Sequence, residues 1–215
     1  MEAVVRSLAI WQRRFTGNRM NTEKNKEQLT PDVSLSAEEQ HWLIQQAKQA
    51  ITDQLKDTKP EFDDSELSPM LKAERALFVT LKKNDRLRGC IGHIQPMGSL
   101  ASEVRKVACL AAFEDPRFPN VELDEVKDLH FEITIMSPMR QVKKFNLIEP
   151  GTHGLMIRKG YYQGLLLPQV ATEYGWNREE FLSHTCVKAG LPPDEWRRKP
   201  EVFVFTAFIF NDSEA

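Results

Sequence analysis

Apolar residues recur along this chain with two periods, one helical and one of strand type. Leu43, Ala47, Ala50, Ile51 and Leu55 fall at helical spacing behind Ser36 and Glu39, whose separation is that of a capping box. The pattern predicts a helix of about five turns, and the folded region starts at Ser36. A polar, proline-containing loop from Lys59 to Pro69 follows. Ala76 to Leu81 and Leu87 to Ile94 then read as two strands joined around Lys83, Asn84, Asp85 and Arg86. After Pro96, Gly98 and Ser99 mark a helix start. Leu100, Val104, Val107, Ala108 and Ala111 form its inner stripe until Asp115 and Pro116 stop it.

Further on, Leu129, Phe131, Ile133 and Ile135 alternate with His130, Glu132, Thr134 and Met136, the signature of a half-buried strand ended by Pro138. Gly154 to Arg158 and Tyr161 to Leu167 read as strands joined across Lys159 and Gly160, and Pro168 opens a short helical piece. Asn177 and Glu180 form a second capping pair, for a helix that runs through Ala189 to Gly190. Val202 to Phe210 is apolar on both faces, which predicts one central, doubly covered strand. Helices and antiparallel hairpins alternate without a regular βαβ rhythm. The expected class is α+β, a largely antiparallel sheet flanked by helices.

Composition narrows the function classes. The 215 residues are 41% hydrophobic, enough for a substantial core, and no apolar run is long enough to span a membrane. Lys and Arg number 29 against 31 Asp and Glu, so attraction to a phosphate backbone is not the dominant property of the molecule. The basic pairs Lys82–Lys83 and Lys143–Lys144 and the run from Arg197 to Lys199 read as solvated surface, with RNA binding through them the weaker alternative. Three widely spaced cysteines, Cys90, Cys109 and Cys186, suit a reducing compartment such as the cytoplasm better than a disulfide framework. No CxxC, HxH or HExxH spacing occurs, so no metal site is expected, and nothing identifies a cofactor.

The first twenty residues set Val4, Val5, Leu8, Ile10, Trp11 and Phe15 among Arg6, Arg13, Arg14 and Arg19. They read as a basic amphipathic helix suited to a membrane surface or targeting, as a frayed tail, or as residues ahead of a true start at Met20. Asn21 to Leu35 is polar, contains Pro31 and reads as a linker. Residues 1–35 are therefore expected to be poorly ordered, with a domain over 36–210 and a tail over 211–215.

The stretch LRGCIG, Leu87 to Gly92, carries the clearest candidate chemistry. In a regular strand Arg88 and Cys90 share a face with Cα atoms roughly 7 Å apart, which sets a guanidinium beside a thiol. A nearby positive charge favours the thiolate, and Gly89 and Gly92 leave room for a ligand or another backbone. Cys90 alone reads equally as a small packing residue, and the glycines as a bulge or twist. Cys109 and Cys186 read as packing residues.

LRGCIG is accompanied, in order, by DPRF (Asp115–Phe118), HGL (His153–Leu155), LPQVA (Leu167–Ala171) and KAGL (Lys188–Leu191). Together these strings resemble the AMMECR domain family, whose prokaryotic members are called AmmeMemoRadiSam system protein A, over about Ser36 to Phe210. The resemblance implies a compact α+β domain with a cleft lined by the LRGCIG strand. It supplies no established reaction. It also implies an association with a Memo-like protein and a radical SAM enzyme, hence a shared modification pathway acting on a small molecule, nucleotide or RNA.

Beside Cys90 and Arg88, His153 is a candidate acid or base, or a histidine that holds a turn. Asp115 and Arg117 make either a helix stop with a local pair or an anion site. Gln169 either reads an amide or base edge or serves the helix start. With Gly89 and Gly92 these residues define the expected site. Two functions compete for it. One is a small-molecule or nucleotide-binding enzyme component, with Cys90 as nucleophile or redox thiol, Arg88 lowering its pKa or holding an anion, and His153 moving a proton. The other is a non-catalytic adaptor that holds a protein or RNA partner in the same cleft.

Overall fold

The computed structural model describes residues 33–58, 63 and 65–212. The amphipathic segment expected over the first twenty residues and the last three residues of the tail lie outside the described residues. Two compact units are present, one formed by residues 33–138 with 207–212 and the other by residues 139–206. At the end of the expected linker, Val33 and Leu35 are buried in the core of the first unit.

Helix α1 spans Ala37–Leu55, with Ser36 as its N-cap. The Ser36 hydroxyl accepts the Glu39 N–H at 3.2 Å and the Glu39 carboxylate accepts the Ser36 N–H at 2.8 Å, a complete capping box. A short helix α2, Pro69–Lys72, leads to the hairpin of β1, Leu77–Lys83, and β2, Arg86–Gly92. Asn84 and Asp85 both have positive φ, the backbone a two-residue hairpin turn requires. Helix α3, Leu100–Phe113, is capped by Ser99, and β3, Leu129–Met136, returns beside β1.

Leu43, Ile44, Ala47 and Ile51 of α1 and Val104, Val107, Ala108 and Ala111 of α3 join Val79, Leu81, Phe131 and Ile133 in one core. Helix α3 packs so closely on β2 that a Cβ at Gly89 would lie 2.2 Å from the Ala111 carbonyl oxygen. The glycine is there for close approach, with helix backbone where a side chain would stand.

In the second unit β4 (Arg140–Gln141), β5 (Gly154–Lys159), β6 (Tyr162–Leu166) and β7 (Glu201–Phe205) form an antiparallel sheet in the order β4-β7-β5-β6. Helices α4, Pro168–Glu173, and α5, Arg178–Lys188, accompany it. Asn177 and Glu180 close a second capping box on α5. Phe181, Leu182 and Cys186 bury against Leu155, Ile157, Val202 and Val204, so Cys186 is the packing residue its position implies.

The C-terminal apolar segment departs from expectation. It is two strands, β7 and then β8 (Ala207–Asn211), interrupted at Thr206. Strand β7 sits between β4 and β5, whereas β8 is an edge of the other sheet, whose order is β2-β1-β3-β8. A run apolar on both faces describes each piece, but hydrophobicity alone does not mark the point where the chain changes sheet.

The glycine at the α3–β2 contact gives a direct test. Gly89→Ala is expected to lower unfolding stability by about 2–3 kcal/mol in urea denaturation, since the helix backbone has to shift. A loss within about 0.5 kcal/mol would show that the contact is loose.

Candidate functional site

Strand β2 is the outer strand of its sheet, so the backbone groups on its far side have no strand to pair with. At Cys90 two side chains take the place of that strand. The Asp115 carboxylate accepts the Cys90 N–H at 2.9 Å, and Arg117 Nη2 donates to the Cys90 carbonyl at 3.3 Å. The two residues also grip each other, with Arg117 Nε 2.8 Å from Oδ1 and Nη2 2.5 Å from Oδ2, and the Arg117 N–H donates to Oδ1 at 3.2 Å. Both follow directly on α3, whose close packing on β2 delivers them to the strand edge. They act together as a clamp.

The side chain of Cys90 lies in a row across the sheet, with Thr80 of β1 and Glu132 of β3 in register. The Cys90 N–H and C=O turn away from β1, so Thr80 and Cys90 form a pair without mutual backbone bonds, the closer kind for side chains. The Thr80 hydroxyl donates to Cys90 Sγ at 3.3 Å. Glu132 forms an ion pair with Lys82 at 2.8 Å on the same face.

Arg88 is not the thiol's partner. Pairing between β1 and β2 passes from Leu81–Gly89 to Lys82–Leu87 and leaves Arg88 as an extra, bulged residue, so the alternation expected through it fails. Its Nε lies 2.8 Å from Glu125, and its Nη atoms donate to the carbonyls of Pro119 and Asn120 at 2.9 and 3.2 Å. It lines, with Lys83, Asn84, Arg86 and Leu87, a surface depression of about 520 Å³ at the end of the hairpin. The cation that acts on the sulfur is Arg117.

Nor is the thiolate favoured. Burial pushes the Cys90 pKa up, and Asp115 and Glu132 add to the rise, against the Thr80 hydrogen bond and the Arg117 charge. The residue as a whole remains partly accessible. Burial also pushes up Asp115. The hydrogen bonds from the Arg117 side chain and from the Cys90 and Arg117 N–H groups, with the Arg117 charge, hold it below the ordinary aspartate value all the same. The Asp115 hydrogen bond raises Arg117 in turn. The clamp is therefore an ion pair in fixed protonation states, and the thiol beside it is neutral at pH 7.

The remaining expected residues are distributed otherwise. Gly92 faces Phe78, where a Cβ would lie 2.2 Å from the ring, so its role is close packing. His153 and Gln169 belong to the unit of residues 139–206. His153 is buried, and its Nδ1 accepts the Glu149 N–H at 2.9 Å, the turn-holding arrangement. Burial lowers its pKa against the charge of Glu149.

Other groups become visible only in three dimensions. Thr80 and Glu132 border Cys90 through strand register. His93, just past LRGCIG, meets the buried Glu103 through Nδ1 at 3.0 Å, and Glu103 also binds Lys106 at 3.0 Å. Among the described residues no group of three or more His, Cys, Asp or Glu side chains is placed to hold a metal ion.

Comparison with known proteins places this geometry in a family. The family model described as AMMECR1 matches residues 44–210. The chain belongs to the AMMECR1 family. A protein of Methanosarcina mazei is 45% identical over 74% of this chain and 82% of its own length. A protein of Methanothermobacter thermautotrophicus is 40% identical over 83% of this chain and 96% of its own. Among solved structures, that of an uncharacterized protein from Pyrococcus horikoshii matches with a TM-score of 0.70 at 40% identity, covering 79% of this chain and 89% of that one. The AMMECR1 fold is thus α+β with antiparallel sheets, and among the described residues no helix is long and apolar enough to cross a membrane.

Alkylation tests the electrostatics of the site. Cys90 is expected to react with iodoacetamide more slowly at pH 7 than a free thiol, with a rate still rising above pH 9. Arg117→Ala is expected to raise the apparent pKa further and Arg88→Ala to leave it unchanged. A rate plateau near neutrality, or a response to Arg88→Ala alone, would contradict the assignment.

Proposed function

We propose that this protein is a small-molecule or nucleotide-binding component of a modification pathway that works with Memo-like and radical SAM partners. Arg117 takes the anionic part of the ligand, and Cys90 presents a neutral, polarizable thiol beside it. One observation carries the reading: a guanidinium fixed at two points by a buried carboxylate is bonded to the strand that bears a partly accessible cysteine. A charge held in this way is preorganised, so little conformational entropy is lost when an anion arrives. A neutral thiol is a weak nucleophile, so recognition by charge precedes any chemistry at sulfur. The shared pathway rests on the family resemblance of the sequence motifs.

Burial of Cys90 in its neutral form favours a second reading, a non-catalytic adaptor that holds a protein or RNA partner on the same strand. Size then matters at position 90, and sulfur does not.

Thermal unfolding with nucleoside monophosphates and phosphorylated metabolites separates these functions. The first reading predicts that one class of anion raises Tm by several degrees at about 100 times its Kd. Arg117→Gln is expected to abolish the shift and Cys90→Ser to preserve it. No stabilisation by any anion, or stabilisation that survives Arg117→Gln, would overturn the reading and leave the adaptor.

A further inference from the structure

His153 Nε2 and Gln169 Oε1, both in the unit of residues 139–206, are buried polar atoms without a hydrogen-bond partner. Folded proteins leave few such atoms, because an unmade buried hydrogen bond costs the full desolvation of the group. These two are opposite in kind. Nδ1 of His153 accepts the Glu149 N–H, which places the proton of the neutral ring on Nε2 and makes that nitrogen a donor. Gln169 Oε1 is an acceptor.

The fold brings the two to one end of the second sheet. Leu155 pairs with Leu166 at the end of the β5–β6 hairpin, so the turn that holds His153 enters β5, and the helix that holds Gln169 leaves β6, at the same end of the sheet. The turn ahead of His153 packs on α4, since a Cβ at Gly151 would lie 2.7 Å from Thr172 Cγ2. The Thr172 hydroxyl in turn donates to the Gln169 carbonyl at 2.7 Å. His153 is only 3% exposed and fixed by its turn, whereas Gln169 is half-buried. Gln169 is therefore the member of the two nearer to solvent.

We propose that His153 and Gln169 form the recognition pair of a small-ligand site for a cis-amide edge, the adjacent C=O and N–H of a lactam or a primary carboxamide. The ligand carbonyl accepts from His153 Nε2–H and the ligand N–H donates to Gln169 Oε1. This pairing satisfies both stranded atoms at once. It does not rest on the Cys90–Arg117 reading, which concerns another unit and an anionic ligand.

The test uses the full chain labelled with 15N at histidine. It is titrated with uracil and with nicotinamide, and with 1,3-dimethyluracil and N,N-dimethylnicotinamide, which keep the carbonyl and lack the N–H donor. Uracil or nicotinamide is expected to shift the His153 Nε2 resonance while Nδ1 stays unprotonated, and the methylated compounds are not. Gln169→Met is expected to weaken binding about tenfold, the loss of one buried hydrogen bond. A response to uracil alone assigns a lactam, and one to nicotinamide alone a carboxamide. Arg117→Gln is expected to leave this binding unchanged, so that failure here is distinct from failure of the anion site. No shift with either probe, equal shifts with the methylated compounds, or full affinity in Gln169→Met would overturn the proposal and mark the pair as filled by water.

Discussion

The N–H and C=O of Cys90 point out of the free edge of a sheet, and everything at the candidate site follows from how they are satisfied. An open edge would recruit another strand, and an N–H shielded without a partner would cost about 1–3 kcal/mol. Asp115 and Arg117 meet both demands from a single turn of chain after α3. Their reach depends on the Gly89 contact, which lets α3 lie against β2 closely enough to deliver them. Core packing, edge protection and the placement of charge are thus one arrangement, built on the absence of a side chain at position 89.

The same arrangement sets the chemistry of the sulfur. A clamp of opposite charges offers the thiol an attraction from Arg117 and an opposing repulsion from Asp115. Burial, with Asp115 and Glu132 added, makes the neutral form win in spite of Thr80 and Arg117. A site of this kind is better suited to holding a ligand by charge than to starting with a reactive thiolate.

The elements that a local rule governs were legible in the sequence. Both capping boxes, at Ser36–Glu39 and Asn177–Glu180, and the alternation over 129–136 each need only neighbouring residues, and these elements stand where the signals put them, as does the hairpin connection read over Lys83 to Arg86, which is tighter in the structure, with Asn84 and Asp85 alone at positive φ. LRGCIG and DPRF could be marked as site segments, but the partner of the thiol could not be chosen correctly. Alternation pointed to Arg88, and the bulge that removes it arises from pairing with Lys82, a tertiary fact. Arg117 lies 27 residues from Cys90, and no periodicity connects them. The break at Thr206 was hidden for a similar reason: both β7 and β8 are apolar, and only the sheets they join tell them apart. The two readings of His153 differed in burial, which a loop position does not disclose. The ring nitrogen that accepts the Glu149 N–H gives His153 its turn-holding role.

Hydrogen exchange at the Cys90 amide reads the clamp itself. The clamp predicts that this N–H exchanges as slowly as the interior amides of β1. In Asp115→Ala it should exchange about 10–100 times faster, while the β1 amides keep most of their protection. A Cys90 amide that exchanges like an open edge group in the unaltered protein, or that is indifferent to loss of the Asp115 carboxylate, would mean that the strand edge is unprotected or is protected by something other than the clamp.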